Sequence, residues 1–573
     1  MIARLQRTSM AVAIMLGAVL VVSSIILFVL ATVFWLSVQV HEPGAAVAFR
    51  SLKNYSDVFT DPFTYRVLVN TLVFSTVALL VSMAFGLPAA WLVERTDLPA
   101  KSLIYTLMTI GLLVPGFADA MGWLFLTHPR IGLLNIWLAS SFGFTGPVLN
   151  IASVAGMGWV QGLSTAPVAF IMNAAVFRAA DPSLEDAAQM AGARPFAVAW
   201  SITLRLAWPG ILAAGIYIFT IGFAAFDVPA IIGWSNRIFT FSTYLLVQLS
   251  PNGGIPEYGH ASALSSVVIV LAVVFIWWYG RIQRQGHRYR VVTGKSYRPR
   301  LVPLGRHAAS AWAFLAGYFL LSKLIPILVL TWAALLPYFQ LPSSQVFALL
   351  SIANFRELPW EIVREGAANT AILMVVAPTV TLALCLAFSW IVVRSKIPGR
   401  DIFDGIAFLP HAVPNIVFCV GLLLLVLFVM PGADMLYGTI WILAIAFVIA
   451  RLSYGTRITN SALIQIHPDL EEAGQMSGAS PGAIIARVLL PLLVPALVNA
   501  WAWIALLCYR ELTLAVLLTT RDNITLPVVV WSIWLTGDIG KAAALALVFL
   551  ASLAPLIAIY WQIARKRLAM PDS

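Results

Sequence analysis

Apolar residues run for about 20 positions or more, without sustained polar interruption, in roughly twelve places along the chain, and about 20 is what one bilayer crossing requires. The runs lie near 11–38, 67–93, 102–126, 151–177, 206–230, 261–279, 310–336, 367–393, 402–429, 438–462, 491–518 and 542–564. Their length favours helices over strands, and polar residues gather in the connections between them. The pattern predicts an all-α polytopic membrane protein with about 12 transmembrane helices.

Composition agrees. At 61% hydrophobic and 10% charged over 573 residues, the chain is far from a soluble domain, in which about a quarter of residues are charged. Arg4 and Arg7 precede the first run as in a signal peptide, but that run is too long for one and reads as a retained first helix. With the amino terminus inside, 24 of the 35 Lys and Arg fall on the cytoplasmic side, as the positive-inside rule requires. Both termini are then cytoplasmic. The net charge of +11 reflects topology, so the partner it implies is the lipid bilayer and no nucleic acid. Cys385, Cys419 and Cys508 lie within predicted spans at no metal-ligand spacing and read as small buried apolar residues.

One polar connection occurs twice. Asp181 to Pro195 and His467 to Pro481 align at an offset of 286, and 182–209 against 468–495 gives 13 identities in 28 positions. In each copy a proline (Pro182, Pro468) can open a helix, acids follow it, a glycine (Gly192, Gly478) closes about three turns, and Pro195 or Pro481 can open a second helix. Each copy predicts a rigid cytoplasmic knob between two membrane helices. The duplication extends further: Ser51 to Tyr55 pairs with Ser351 to Phe355, Asn70 and Thr71 with Asn369 and Thr370, Trp91 to Pro99 with Trp390 to Pro398, and Pro115 with Pro414. The last three pairs share an offset of 299, so the first half carries 13 extra residues (299 − 286), placed in the outward segment 127–150 with room for a short non-spanning helix. Two parallel six-helix halves result, each a leading helix and a five-helix core. The divisions are 1–280 with loop 181–209, a basic cytoplasmic linker 281–309, and 310–573 with loop 467–495. The linker contains Gly294, Lys295 and Ser296, but Tyr289 stands where a phosphate loop needs its first glycine, so a nucleotide site is rejected.

The order of Glu and Ala, then Gly, then a Leu- and Pro-rich entry to the membrane resembles the EAA loop of permease subunits of bacterial binding-protein-dependent ABC importers. Copy two keeps Val488 to Pro491, whereas copy one has Arg205 at the corresponding proline and retains Pro209. The linker segment 292–300 with Leu304 and Gly305, the stretch Phe226 to Gly233, and Arg510 to Thr513 are similar to features of fused permeases of the ferric-iron-type subgroup. The resemblance implies a type I ABC importer permease fold in the bacterial inner membrane, forming the translocation pathway. It implies that Glu185, Asp186, Ala187, Ala188, Gly192, Glu471, Glu472, Ala473 and Gly478 belong to coupling helices that dock on the ATPase. The partners implied are two copies of a cytoplasmic ATPase, which hold the ATP and Mg, and an extracytoplasmic binding protein; this chain binds no cofactor itself. Ferric iron is the substrate suggested, while relatives also carry thiamine, phosphonates, polyamines or sugar phosphates.

Ionisable groups within spans are costly unless they face a cavity or a partner. Asp119 follows Pro115 and Gly116, which suggest a broken helix; Asn415 follows the matching Pro414; Asp227 lies beside Pro229 at the end of the fifth span; Arg510 and Glu511 are adjacent in the eleventh. These five are the candidate pathway or gate residues. The alternative is that Arg510 and Glu511 pair with neighbouring helices and only fix packing. The seven histidines form no zinc motif, no hydrolase elbow is present, and neither a catalytic nor a metal site is expected. A secondary transporter fits the span count and the duplication equally well, but has no need of paired docking knobs; a channel or scaffold predicts neither knobs nor linker.

Overall fold

The computed structural model describes residues 10–40, 49–179, 183–250, 256–286 and 301–568. Among these, nine helices are long and apolar enough to cross a membrane, and two bent helix pairs bring the number of spans to eleven. The predicted sixth span falls on the helix Tyr258–Gly286, whose stretch Tyr258–Val274 is a shorter apolar helix. Nine to eleven spans among the described residues, with this 29-residue helix at the place of the sixth, agree with the expected architecture of about 12. Arg4, Arg7, Pro182 and the Gly294 segment lie outside the described residues.

The bent pairs are the two third spans. Lys101–Leu113 and Gly116–Thr127 meet at 88°, and Arg400–His411 and Asn415–Val429 at 102°. Pro115 and Pro414 hold extended backbone at the two breaks, because proline lacks the N–H that would continue the preceding helix and disfavours an α conformation in the residue before it.

Small residues bring the core helices together. In the first half Pro62–Arg95 lies against Val154–Ala179 so closely that a Cβ on Gly86 would stand 2.5 Å from Ala169 Cβ. In the second, a Cβ on Gly455 would stand 2.5 Å from Cys385 Sγ, which gives that buried cysteine a packing role. Close backbone approach of this kind drives helix association where lipid removes the hydrophobic incentive.

The two leading helices cross over. A Cβ on Gly122 in the first half would meet Pro326 of the second half's leading helix at 2.6 Å, and one on Gly421 would meet the Val29 carbonyl of the first half's leading helix at 2.7 Å. Gly122 and Gly421 are equivalent positions (421 − 122 = 299), so each half clasps the other's first helix by the same device.

Repeated hydrogen bonds explain the repeated residues. Asn54 Nδ2 donates to the Ser37 and Gln39 carbonyls and Asn354 Nδ2 to those of Ala334 and Leu336, tying each leading helix to the segment after it. Asn70 and Asn369 donate to Phe239 O and Ile524 O, and Thr71 and Thr370 accept from Phe241 N and Leu526 N. Each pair holds its second span to the short helix before the half's last one, Phe241–Leu249 or Leu526–Leu535. The extra residues of the first half contain the ten-residue helix Leu133–Phe142. Where the linker re-enters the described chain, Val302 forms a parallel bridge with Thr96, its N–H donating to Arg95 O and its carbonyl accepting from Asp97 N.

Candidate functional site: coupling knobs and an inter-half charge cluster

Each polar repeat folds as a short helix, a glycine elbow and a second helical turn. The first helices are Ser183–Met190 and Asp469–Met476, eight residues each, so the expected three turns are just over two. Pro468 stands at the N-cap, one position ahead of the helix it opens. Gly192 and Gly478 have φ of +87° and +77°, and the N–H groups of Ala193 and Ala479 bond back to the Ala188 and Gly474 carbonyls. That is a Schellman closure, with glycine where an L side chain would be strained. The turns Pro195–Val198 and Pro481–Ile484 follow, then matching π turns, Ala199–Thr203 and Ile485–Leu489. The π turn occurs with Arg205 as well as with Pro491 beyond it, so it does not depend on the proline.

The acids that open the knobs differ in exposure, with Asp186 half-buried and Asp469 and Glu472 exposed. Glu185 and Glu471 turn toward the bundle: Glu185 Oε1 lies 3.4 Å from Arg95 Nη2 and Glu471 Oε1 lies 2.7 Å from Arg394 Nε. Glu472 is exposed on the outer surface, as are Ala187 and Ala473, since adjacent helical positions diverge by about 100°. Burial raises the Glu471 carboxyl above its ordinary range although Arg394 pulls it down. The knobs' outer ends carry large apolar side chains at equivalent positions, Leu184 (51% exposed) with Leu470 (47%) and Met190 (86%) with Met476 (88%).

The intramembrane candidates gather where the broken helices meet. Asp119 is buried and forms an ion pair at 2.5 Å with Lys323 on the crossed-over helix of the second half. Arg510 reaches from the second half to the first, its Nη1 donating to the carbonyls of Leu112 and, at 3.3 Å, Val114. It thereby satisfies carbonyls that Pro115 leaves without helical donors. Glu511 pairs with Arg451, and its other oxygen accepts from Leu514 N at 3.2 Å.

Asp227 has a different surrounding. It lies in the break between Leu204–Ala224 and Pro229–Gly233, against Gly116, where an added Cβ would stand 3.4 Å from Asp227 Cβ. Thr513 Oγ1 stands 3.5 Å from its Oδ1. Residues 227 and 513 are equivalent positions of the duplication (513 − 227 = 286), so their contact lies at the pseudo-two-fold axis between the halves. Asn415 holds the place equivalent to Gly116 (415 − 116 = 299) and is half-buried there.

The arrangement is not symmetric in charge. The positions equivalent to Asp119 and Lys323 are Phe418 (418 − 119 = 299) and, by the Pro326 and Val29 correspondence (326 − 29 = 297), Ile26; both are buried and apolar. Arg451, which is not among the five candidates, meets Glu511 inside the bundle. Arg451 falls within the predicted span 438–462 and so bore the same signal as Asp119. Arg95 and Arg394 carried a different one, their recurrence at equivalent positions.

Residues 82–285 and 379–568 each match the family of binding-protein-dependent transport system inner membrane components. The chain belongs to this family. As such it is the membrane-embedded permease of an ABC importer, a multi-pass inner-membrane transport subunit that works with a binding protein and an ATPase. The permease is 25% identical over 487 residues to the Fe(3+)-transport system permease protein FbpB 2 of Haemophilus influenzae, covering 84% of this chain and 86% of that one. It is 24% identical over 474 residues to the ferric transport system permease protein FbpB of Actinobacillus pleuropneumoniae, covering 80% and 66%. The molybdenum transport system permease protein ModB of Escherichia coli is 30% identical over 242 residues, 40% of this permease and 98% of its own length.

Proposed function

We propose that this permease imports ferric iron, with both halves of the pathway in one chain: 1–280 and 310–573, joined by the cytoplasmic linker 281–309. The observation that carries the substrate is coverage: relatives named for ferric transport align across both halves. The similarity to the molybdenum permease runs over 40% of this chain. Two copies of an ATPase bind ATP and Mg and dock on the knobs from the cytoplasm, where both termini also lie. Met190 with Leu184 and Met476 with Leu470 are the apolar contacts offered to them. Two similar knobs on one chain fit two copies of one ATPase, because the exposed positions recur at the same offset.

At the axis, Asp227 is the acid offered to a cation: Lys323 and Arg451 hold Asp119 and Glu511 in contact ion pairs, whereas Asp227 feels the charge of Arg510 without such a pair among the described residues. Arg510 acts as the latch of the gate, holding the broken third helix of the opposite half through backbone carbonyls that a rocking motion can release. Closure of the ATPases drives the halves about this axis, which requires knob contacts that differ between the two states. The test is purification of the chain from its native membrane with identification of co-purifying subunits, followed by uptake of labelled ferric iron into vesicles with molybdate as competitor. An ATPase co-purifying and iron uptake unaffected by molybdate are expected; molybdate uptake without iron uptake overturns the substrate.

A further inference from the structure

Each knob has one acid directed inward, and it ends on an arginine in the same place twice. Arg95 ends the helix Pro62–Arg95 and Arg394 caps Trp360–Val393. They are equivalent (394 − 95 = 299), as are their acids (471 − 185 = 286). Exposure of these side chains is low, 4% for Arg95 with 10% for Glu185 and 13% for both Arg394 and Glu471. A guanidinium withdrawn this far from water needs a counter-charge, and stripping it away is costly. Arg394 is tied further: its Nη2 donates to the Leu463 carbonyl at 2.9 Å and to that of Ile466, at the end of Ile440–Gln465, the helix that leads into the knob. Arg95 is held through its backbone, whose carbonyl accepts from Val302 N at 2.9 Å.

We propose that Arg95 and Arg394 are positioning residues for coupling: each fixes its knob to the end of its half's second span, so that a displacement of the knob moves that helix rather than tilting the knob alone. The proposal rests on the coupling reading of the knobs and adds the element to which they are coupled. It assigns Glu185 and Glu471 to the permease side of the joint and leaves the outer face for the ATPase. An eight-residue helix connected through a glycine elbow would otherwise have little to resist rotation, being too short to be stable alone.

Two measurements on Arg394→Ala, Arg394→Glu, Glu471→Arg and the double Arg394→Glu/Glu471→Arg decide the matter. In the full-length purified chain, backbone amides of 469–476 are expected to exchange about tenfold faster in each single variant, with the charge-swapped double recovering most of the protection. In vesicles of the complex, labelled iron taken up per ATP hydrolysed is expected to fall about tenfold in the singles and to recover in the swap. A loss of folding alone lowers uptake and hydrolysis together and is not rescued by reversing the pair. Arg394→Lys, which keeps the charge but loses the fork that also holds Leu463 and Ile466, is expected to fall between. Wild-type exchange in Arg394→Ala, or a swap no better than its singles by both readouts, overturns the proposal. Wild-type vesicles that take up no iron overturn the substrate reading, and absence of a co-purified ATPase overturns the coupling reading; in both cases the exchange comparison still decides the joint.

Discussion

The ion pairs Asp119 with Lys323 and Glu511 with Arg451 each put two charges in a place where one alone is expensive. Lys323→Leu is therefore expected to destabilise the protein by about 3 kcal/mol, because Asp119 is left buried without its counter-charge, whereas Asp119→Leu with Lys323→Leu should recover most of the loss. Ile26 and Phe418 already occupy the equivalent site in the other half, so the fold accepts an apolar pair there. Thermal unfolding in detergent reads both, and a double variant no more stable than Lys323→Leu would show that the pair does more than neutralise itself. Glu511→Gln keeps volume and most hydrogen bonding but strands Arg451; a lower melting temperature, restored by adding Arg451→Met, is the expected outcome. If instead uptake falls while melting is unchanged, Glu511 belongs to the pathway. Asp227→Asn should behave in the opposite manner, with little change in melting and uptake reduced about tenfold or more, since it removes the acid at the axis.

Among the elements, the elbow is the part where a single backbone angle decides the geometry. Gly478 at φ +77° has no atom within 4 Å of a Cβ placed on it, so Gly478→Val would meet backbone strain alone, about 1–2 kcal/mol for an L residue held left-handed. That is enough to reshape an eight-residue helix but not the bundle: insertion and yield should persist while iron uptake per ATP falls, and the same holds for Gly192→Val. Normal coupling in Gly478→Val would remove the second knob from the mechanism. The broken third spans follow the same logic of local backbone chemistry, with proline supplying the break. In one half a distant arginine then supplies the missing donor.

For the molecule as a whole, the proposed orientation makes reporters fused at Gly294 and after Arg567 cytoplasmic and one near Gly253 extracytoplasmic; an external signal at Gly294 would break the six-plus-six arrangement. Much of this architecture was legible because it rests on local signals. A membrane helix declares itself by an apolar run of the right length, a break by proline, and an elbow by glycine after an acidic helix start. Duplication then supplied what no single segment could, since Asn54 with Asn354 and Thr71 with Thr370 recur at a nearly constant spacing and make equivalent hydrogen bonds.

The chain by itself thus determined its helices and the backbone of both knobs, because each is set by residues within a few turns of one another, and its two halves through the duplication. Tertiary structure alone decided the partners. Lys323 meets Asp119 across 204 residues and Arg510 reaches Leu112 across 398, separations over which no periodicity reports direction. It also decided that Glu185 and Glu471 face inward, that the leading helices cross over, and that Asp227 meets its own counterpart Thr513. Which face of a helix is buried in lipid and which in protein depends on what packs against it, and in a sequence apolar on nearly every face that information is carried by shape, through glycines such as Gly122 and Gly421, rather than by polarity.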